Sequence, residues 1–199
     1  MERLKQQMKF ILEIDNLKKV QRQSYLSDGS RKENDTEHSW HLAMMCFLLK
    51  EYAPKEIDVL KTMTMVLIHD IVELDAGDTY AYDDAGNSTK REREVKAAER
   101  IYGILPKEQD KELRNLWEEF EEGTSEEAKF ANALDKIQPI LLNDASEGKA
   151  WREHAVEINQ ILKRNEKTPK GAPELWEYCE KLLEDNIKKG NIKAEGGVV

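Results

Sequence analysis

Apolar residues recur at intervals of three and four positions along most of the chain. In the first twenty residues Leu4, Met8, Ile11 and Leu17 follow this spacing, which is typical of an amphipathic helix over residues 3–20. No segment shows the alternation of apolar and polar residues that predicts a strand. The chain is therefore predicted to be an all-α bundle of about seven helices. The same spacing places the later helices over residues 36–52, 54–74, 89–103, 106–122, 125–146, 150–165 and 172–189.

Two polar segments interrupt the helical pattern. Residues 21–35 read as a polar loop, and residues 75–88 (D-A-G-D-T-Y-A-Y-D-D-A-G-N-S) are too rich in Gly, Asp and Asn to continue a helix. A loop of this length inside a compact domain often serves function. We expect a single domain over residues 1–188, followed by a disordered, glycine-rich tail over residues 189–199.

The composition of the chain argues against duplex nucleic acid and membranes as binding partners. The chain has 31 Lys and Arg against 40 Asp and Glu, a net charge of −9, which argues against a broad basic face for duplex nucleic acid. No apolar run approaches the roughly 20 residues that span a bilayer, and none resembles a signal peptide. Cys46 and Cys179 both lie in helical patterns without a CxxC neighbour. They are interpreted as reduced core residues of a cytoplasmic protein.

The stretch V-L-I-H-D-I-V-E-L contains three closely spaced residues that could bind a metal ion or take part in catalysis. His69 and Asp70 end an apolar helical run, and Glu73 lies four and three residues further on, so all three can face one pocket of a helix. Imidazole and carboxylate are ligands for a divalent metal. Glu73 is then the candidate for handling the proton of a water near that metal. The alternative is that Glu73 is an ordinary surface residue.

Two distant residues could complete such a site. His38 lies near the start of its helix, and an antiparallel pairing of helices 36–52 and 54–74 would bring it to the same end as His69. Asp135 lies in a largely apolar helix, where a buried carboxylate needs a cation or hydrogen-bond donors. Pro139, four residues later, predicts a kink at that carboxylate. Otherwise His38 is a surface or core residue, and Asp135 pairs with Lys136 or another base.

The flanking loops offer candidates for binding a substrate. Asp78 and Thr79 follow Gly77 and could bind hydroxyl groups, although plain turn chemistry explains them equally well. Arg22 and Arg31 precede the His38 helix, and a guanidinium matches a phosphate with two parallel hydrogen bonds. Either arginine could instead be a solvated surface charge.

His38, His69-Asp70 and Asp135 resemble, in this order, the H…HD…D signature of the HD-domain metal-dependent phosphohydrolases. The segments R-K-E-N-D-T-E-H-S-W-H-L-A-M-M, H-D-I-V-E-L-D-A-G-D and A-L-D-K-I-Q-P-I-L-L resemble the motifs of its YfbR-type 5′-deoxynucleotidase branch, and N-L-K-K-V-Q-R resembles that branch's N-terminal helix end. The resemblance covers roughly residues 10 to 165.

This resemblance implies a divalent metal (Mn, Co, Fe, Ni, Zn or Mg), a catalytic Glu73, a phosphate contact from Arg22, a sugar-hydroxyl contact from Asp78, and a homodimer. Two segments depart from the branch. The extended S-Y-L-S-D-G-S-R leaves open which arginine meets the phosphate, and T-Y-A-Y-D-D-A-G-N replaces a proline-containing run. The implied metal ligands are His38, His69, Asp70 and Asp135.

We therefore expect a metal-dependent phosphomonoesterase that acts on a small phosphate ester, a (deoxy)nucleoside 5′-monophosphate. One alternative is a phosphodiesterase or polyphosphate-nucleotide hydrolase that uses the same metal. Another is a non-catalytic helical protein that senses nucleotides.

Overall fold

The computed structural model describes residues 1–77 and 88–194, and helices dominate this part of the chain. The predicted all-α class is confirmed, although the helices are shorter and more numerous than the seven expected. They are α1 Glu2–Ile14, α2 Asp35–Leu49, α3 Val59–Ile68, α4 Glu73–Ala76, α5 Lys90–Tyr102, α6 Lys107–Glu122, α7 Glu126–Ala145, α8 Lys149–Glu153, α9 Ile158–Arg164, α10 Thr168–Gly171 and α11 Pro173–Lys188.

Helix α7 is the centre of the larger hydrophobic core and packs against α2, α3, α10 and α11. Its face of small residues, including Ala131 and Ala133, lets neighbouring backbones approach closely. Gly171 of α10 shows how close: a Cβ atom there would lie 2.0 Å from the carbonyl oxygen of Lys129. This tight crossing fixes α7, and with it Asp135, relative to the C-terminal helices.

A second core supports the turn that carries the His-Asp pair. It includes Phe10, Val72 and Trp117, and Tyr102 of α5 is fully buried within it. The Tyr102 hydroxyl donates a hydrogen bond to the carbonyl oxygen of Ile68 at 3.1 Å. Because Ile68 directly precedes His69, this bond anchors the backbone from which the His-Asp pair projects.

The prediction of one continuous helix over residues 54–74 is wrong, because this segment is divided into α3, a 3-10 turn and α4. Helix α3 starts only after Asp58, whose side chain accepts a hydrogen bond from the Lys61 backbone, a typical N-cap. After Ile68 the chain tightens into a 3-10 turn over His69–Val72 before α4 begins. A 3-10 turn has three residues per turn rather than 3.6, so the directions of His69, Asp70 and Glu73 differ from those on a continuous helix.

The predicted loop over residues 21–35 instead contains the two short strands of an antiparallel hairpin, β1 Gln21–Tyr25 and β2 Lys32–Asn34. The hairpin is pinned to α8, because Lys149 donates to the carbonyl of Gly29 at 2.9 Å and the Tyr25 hydroxyl donates to Glu153 at 2.9 Å. One face of the hairpin turns inward, and it buries Arg22 and Glu33.

The single-domain prediction for residues 1–188 remains a prediction. Within the segment predicted as a tail, Ile192 packs into the larger core and Lys193 forms a bridge with Glu157. Within the described ranges, no helix is both long and apolar enough to cross a bilayer.

Candidate metal centre

Two buried histidines meet at one end of the bundle. Helix α2 starts with a capping box in which the Asn34 side chain accepts from the Glu37 backbone and the Glu37 side chain accepts from the Asn34 backbone. Asn34 lies two residues before the predicted start of this helix at residue 36, and the cap places His38 in the first turn. The ring centroids of His38 and His69 are 5.5 Å apart. The structure thus brings the two imidazoles together, as the antiparallel pairing predicts.

Two aspartates lie against these imidazoles. His38 Nε2 is 3.0 Å from Asp135 Oδ1, and His69 Nε2 is 3.5 Å from the same oxygen. Asp70 Oδ1 lies 3.1 Å from His69 Nε2, and Asp70 Oδ2 lies 3.9 Å from His38 Nε2. All four side chains predicted as metal ligands therefore converge, although Asp135 and His38 are 97 positions apart in the chain.

Burial and charge set the protonation of the two histidines differently. Burial, reinforced by the charge of Arg22, lowers the pKa of His38 to about 4, so its imidazole is neutral at pH 7. Burial acts on His69 in the same direction, but the negative charges of Asp70 and Asp135 outweigh it and raise the pKa. Burial disfavours ionisation of Asp135, yet its contacts with both histidines hold the pKa of that carboxyl well below its usual range.

The donor set fits a divalent metal ion. His69 Nδ1 is 2.9 Å from the carbonyl oxygen of Val66, an acceptor, so Nδ1 carries a proton and Nε2 faces the carboxylates. That buried Nε2 makes no well-oriented hydrogen bond to any part of the chain that the structure describes. Ligand atoms of His38, His69 and Asp135 all lie within 4.8 Å of one another. Two imidazoles with carboxylates suit Mn, Fe, Co, Ni or Zn, and Mg less well.

Arg22 is buried beside the predicted metal ligands rather than solvated at the surface. Its Nη1 is 2.6 Å from Asp70 Oδ2 and 3.3 Å from Asp35 Oδ1. Burial alone would lower the pKa of Arg22, but the surrounding carboxylates raise it, so the guanidinium stays charged. Arg31, by contrast, pairs at the surface with Glu37, and its side chain is 56% exposed. The structure therefore places Arg22, and not Arg31, beside the predicted ligands.

Glu73 opens α4 and is buried, with a carboxylate oxygen within 4.8 Å of oxygens of Asp35 and Asp70. The predicted proton-handling group is thus adjacent to the predicted ligands. Lys90, at the start of α5, faces the same region. Burial lowers the pKa of Lys90, but the charges of Glu94, Glu73 and Asp70 outweigh it and raise the pKa.

The sequence predictions missed Glu33 and Asp35, two buried acids that pair with Arg22. Glu33 and Asp35 were assigned to a polar loop, although Asn34 and Glu37 form the spacing of a capping box and indicate that α2 begins earlier. Asp78 and Thr79 lie outside the described residues.

Comparison with known proteins is consistent with this geometry. A family profile described as HD domain matches residues 14–176. The human 5′-deoxynucleotidase HDDC2 is 31% identical over 135 residues, which cover 67% of this chain and 65% of that protein. The chain thus matches slightly less than two thirds of the human relative's length. A crystal structure described as a predicted metal-dependent phosphohydrolase from Magnetospirillum magnetotacticum MS-1 is 44% identical, covers 96% of both chains and superposes with a TM-score of 0.92.

Proposed function

Because the chain belongs to the HD domain family, we propose that it is a metal-dependent phosphomonoesterase that hydrolyses (deoxy)nucleoside 5′-monophosphates. The observation that carries this proposal is the convergence of His38, His69 and Asp135 within 4.8 Å, with Arg22 and Glu73 beside them. The names of the relatives support the reaction class, since several are 5′-deoxynucleotidases.

His38, His69, Asp70 and Asp135 would hold the ion. When bound, a divalent cation supplies positive charge that polarises a phosphoryl oxygen and makes a nearby water more acidic. The buried, carboxylate-rich surroundings suit such a cation, because otherwise closely spaced negative charges in a low dielectric repel one another.

The chain's own residues would perform the remaining steps. Glu73 would orient the attacking water and accept its proton as the oxygen approaches phosphorus. The bond between phosphorus and the 5′-oxygen would break in the same displacement, and the nucleoside would leave after its 5′-oxygen takes up a proton from Glu73 or solvent. Arg22, which Asp70 and Asp35 hold in place, would offer its remaining N–H groups to the phosphate. Asp78 and Thr79 would contact the sugar, as the resemblance implies for Asp78.

A phosphate-release screen tests the reaction. The purified protein, stripped of metal and then given each of Mn, Co, Fe, Ni, Zn and Mg, is assayed against ribo- and deoxyribonucleoside monophosphates. Nucleoside di- and triphosphates and cyclic dinucleotides form the comparison set. We expect phosphate release from the 5′-monophosphates only. Preferred hydrolysis of the other substrates would assign a different reaction to the same metal centre, and melting shifts without any product would favour a nucleotide sensor.

The role of Glu73 is tested by Glu73→Ala. Loss of the proton-handling carboxylate should abolish turnover, while the four metal ligands remain and still bind the ion. A metal-binding titration on the variant separates these two effects. Full phosphatase activity in this variant would show that the role is wrongly assigned.

We also propose that the protein forms a homodimer through α2, in a cytoplasmic setting that suits its two free, buried cysteines. Residues 38–49 contain no Asp, Glu, Lys or Arg, in a chain of which 36% is charged. Two copies of an acidic chain repel each other least across such a face. Four of its apolar side chains are exposed on one side of the helix: Trp40, Met44, Phe47 and Leu48.

Light scattering after gel filtration tests the dimer. Phe47→Glu places a charge at the centre of the proposed interface and should give a monomer. Leu12→Glu on α1 is the control, because Leu12 is 72% exposed but lies outside the interface, and it should remain dimeric. A monomeric wild type, or a dimeric Phe47→Glu, would contradict the proposal.

A further inference from the structure

Glu33 is a buried carboxylate that the roles assigned above do not use. It lies in β2, only 2% exposed, on the inward face of the hairpin. The burial raises the pKa of Glu33 to about 7, against the opposing effect of Arg22. A buried acid is costly unless it has partners, so its neighbours indicate what it does.

Two of those neighbours belong to the candidate metal centre. Glu33 Oε1 lies 3.7 Å from His38 Nδ1 and 3.7 Å from Arg22 Nε. Both nitrogens are buried, and neither has a hydrogen-bond acceptor within normal range among the described residues. One carboxylate oxygen therefore faces two buried donors that belong to different parts of the site.

The opposite side of the carboxylate is anchored. Gln138 Nε2 donates to Glu33 Oε2 at 3.0 Å and is itself 3.2 Å from His41 Nδ1. Gln138 is fully buried on α7, three residues after Asp135. The anchor of Glu33 thus comes from the same helix that supplies Asp135.

We propose that Glu33 is a positioning residue that orients both the metal-binding ring of His38 and the guanidinium of Arg22. A histidine that gives Nε2 to a metal ion keeps its proton on Nδ1, and a carboxylate that accepts a hydrogen bond from Nδ1–H fixes the ring and its tautomer. If Glu33 Oε1 and each nitrogen moved closer by roughly 0.8 Å, both 3.7 Å contacts would reach the length of a charge-assisted hydrogen bond.

This inference rests on the proposed function in so far as His38 binds metal and Arg22 contacts phosphate. It adds that metal binding and phosphate binding are coupled, which neither role implies by itself. Because one oxygen serves both donors, removing its charge should weaken metal binding and phosphate binding together, although Glu33 touches neither ligand.

The test compares Glu33→Gln with Glu37→Gln. Both replace a carboxylate by an amide of the same shape, but Glu37 lies at the surface beside His38, and Gln also serves in a capping box. The measurements are the calorimetric dissociation constant for Mn²⁺, the visible absorption of the Co²⁺-loaded protein, and kcat and KM at saturating metal. Circular dichroism melting of the metal-free proteins checks that the variants fold.

We expect Glu33→Gln to weaken Mn²⁺ binding by about 10- to 100-fold, the range seen when the partner of a metal-bound histidine is removed. Its Co²⁺ absorption should change, and KM should rise more than kcat falls, because Arg22 loses the carboxylate that faces its Nε while Asp70 and Asp35 still hold its Nη1. Glu37→Gln should match the wild type in every measurement. A Glu33→Gln variant that also matches the wild type would overturn the proposal, as would equal losses in both variants.

A second variant covers the case in which Glu33→Gln does not fold. Gln138→Met removes the anchor at nearly constant volume, and it should weaken Mn²⁺ binding in the same direction. Unchanged Mn²⁺ affinity in a folded Gln138→Met variant would then count against the positioning role. The metal titration needs no turnover, so a wild type that binds Mn²⁺ without hydrolysing nucleotides refutes the proposed function while still testing Glu33.

Discussion

Replacing Arg22 by Met should destabilise the fold far more than replacing Arg31 by Met, even though the two arginines are equivalent candidates in the sequence. Arg22 has a side chain that is 10% exposed and makes ion pairs with Asp70 at 2.6 Å, Asp35 at 3.3 Å and Glu33 at 3.7 Å. Methionine preserves much of the volume but leaves these buried carboxylates without their cation.

The expected magnitude follows from burial. Removing one partner of a buried ion pair costs about 3–5 kcal/mol, because the other charge stays buried without compensation. Arg31 pairs with Glu37 at 2.5 Å, but its side chain is 56% exposed. An exposed pair of this kind contributes at most about 1 kcal/mol.

Urea unfolding of the metal-free proteins, followed by circular dichroism, measures both effects. With a denaturant slope of about 2 kcal/mol per molar, a loss of about 4 kcal/mol in Arg22→Met lowers the midpoint by about 2 M. Arg31→Met should lower it by less than about 0.5 M. Equal midpoints for the two variants would refute the view that the guanidinium of Arg22 neutralises the buried acids.

Three further predictions concern packing and metal binding. Gly171→Ala should lower the free energy of unfolding by about 1–3 kcal/mol or more, because the added Cβ would meet the Lys129 carbonyl. Gly190→Ala should lower it by about 1 kcal/mol, because its Cβ would enter open space but its φ of +76° is strained for alanine. Equal losses in urea unfolding would contradict this. Free Mn²⁺ at about 100 times its dissociation constant should stabilise the wild type by about 2.7 kcal/mol, and an equal gain in Asp135→Ala would exclude Asp135 as a ligand. Tyr102→Phe should lower the free energy of unfolding by about 1 kcal/mol, because it removes the hydrogen bond to Ile68. No change in its urea midpoint would show that the buried hydroxyl contributes nothing to stability.

The helical class could be predicted because spacing of apolar residues is a local property of the sequence. The hairpin could not, since Q-R-Q-S-Y and K-E-N lack apolar alternation, and in the part of the chain that the structure describes each strand pairs with the other alone. Its stability depends on distant partners such as Lys149 and Glu153, which no local pattern reveals. The break after Ile68 was likewise hidden, because the apolar spacing continues through the 3-10 turn.

For the candidate site, the convergence of His38 with His69 followed from helix lengths. The distinction between Arg22 and Arg31 did not, because it depends on which face of the hairpin turns inward. Glu33 was missed for the same reason: a glutamate in a polar segment is ordinarily solvated, and only the register of β1 and β2 buries it.

The attachment of the hairpin to α8 bears on how the protein matures during synthesis. Arg22 and Glu33 leave the ribosome early, but the side chains that hold their hairpin, Lys149 and Glu153, emerge more than a hundred residues later. Asp135 is also translated late. A nascent chain interrupted before residue 153 would therefore contain both histidines but lack part of the anchor of the hairpin, so the site proposed to hold the ion is completed only after most of the chain has been made.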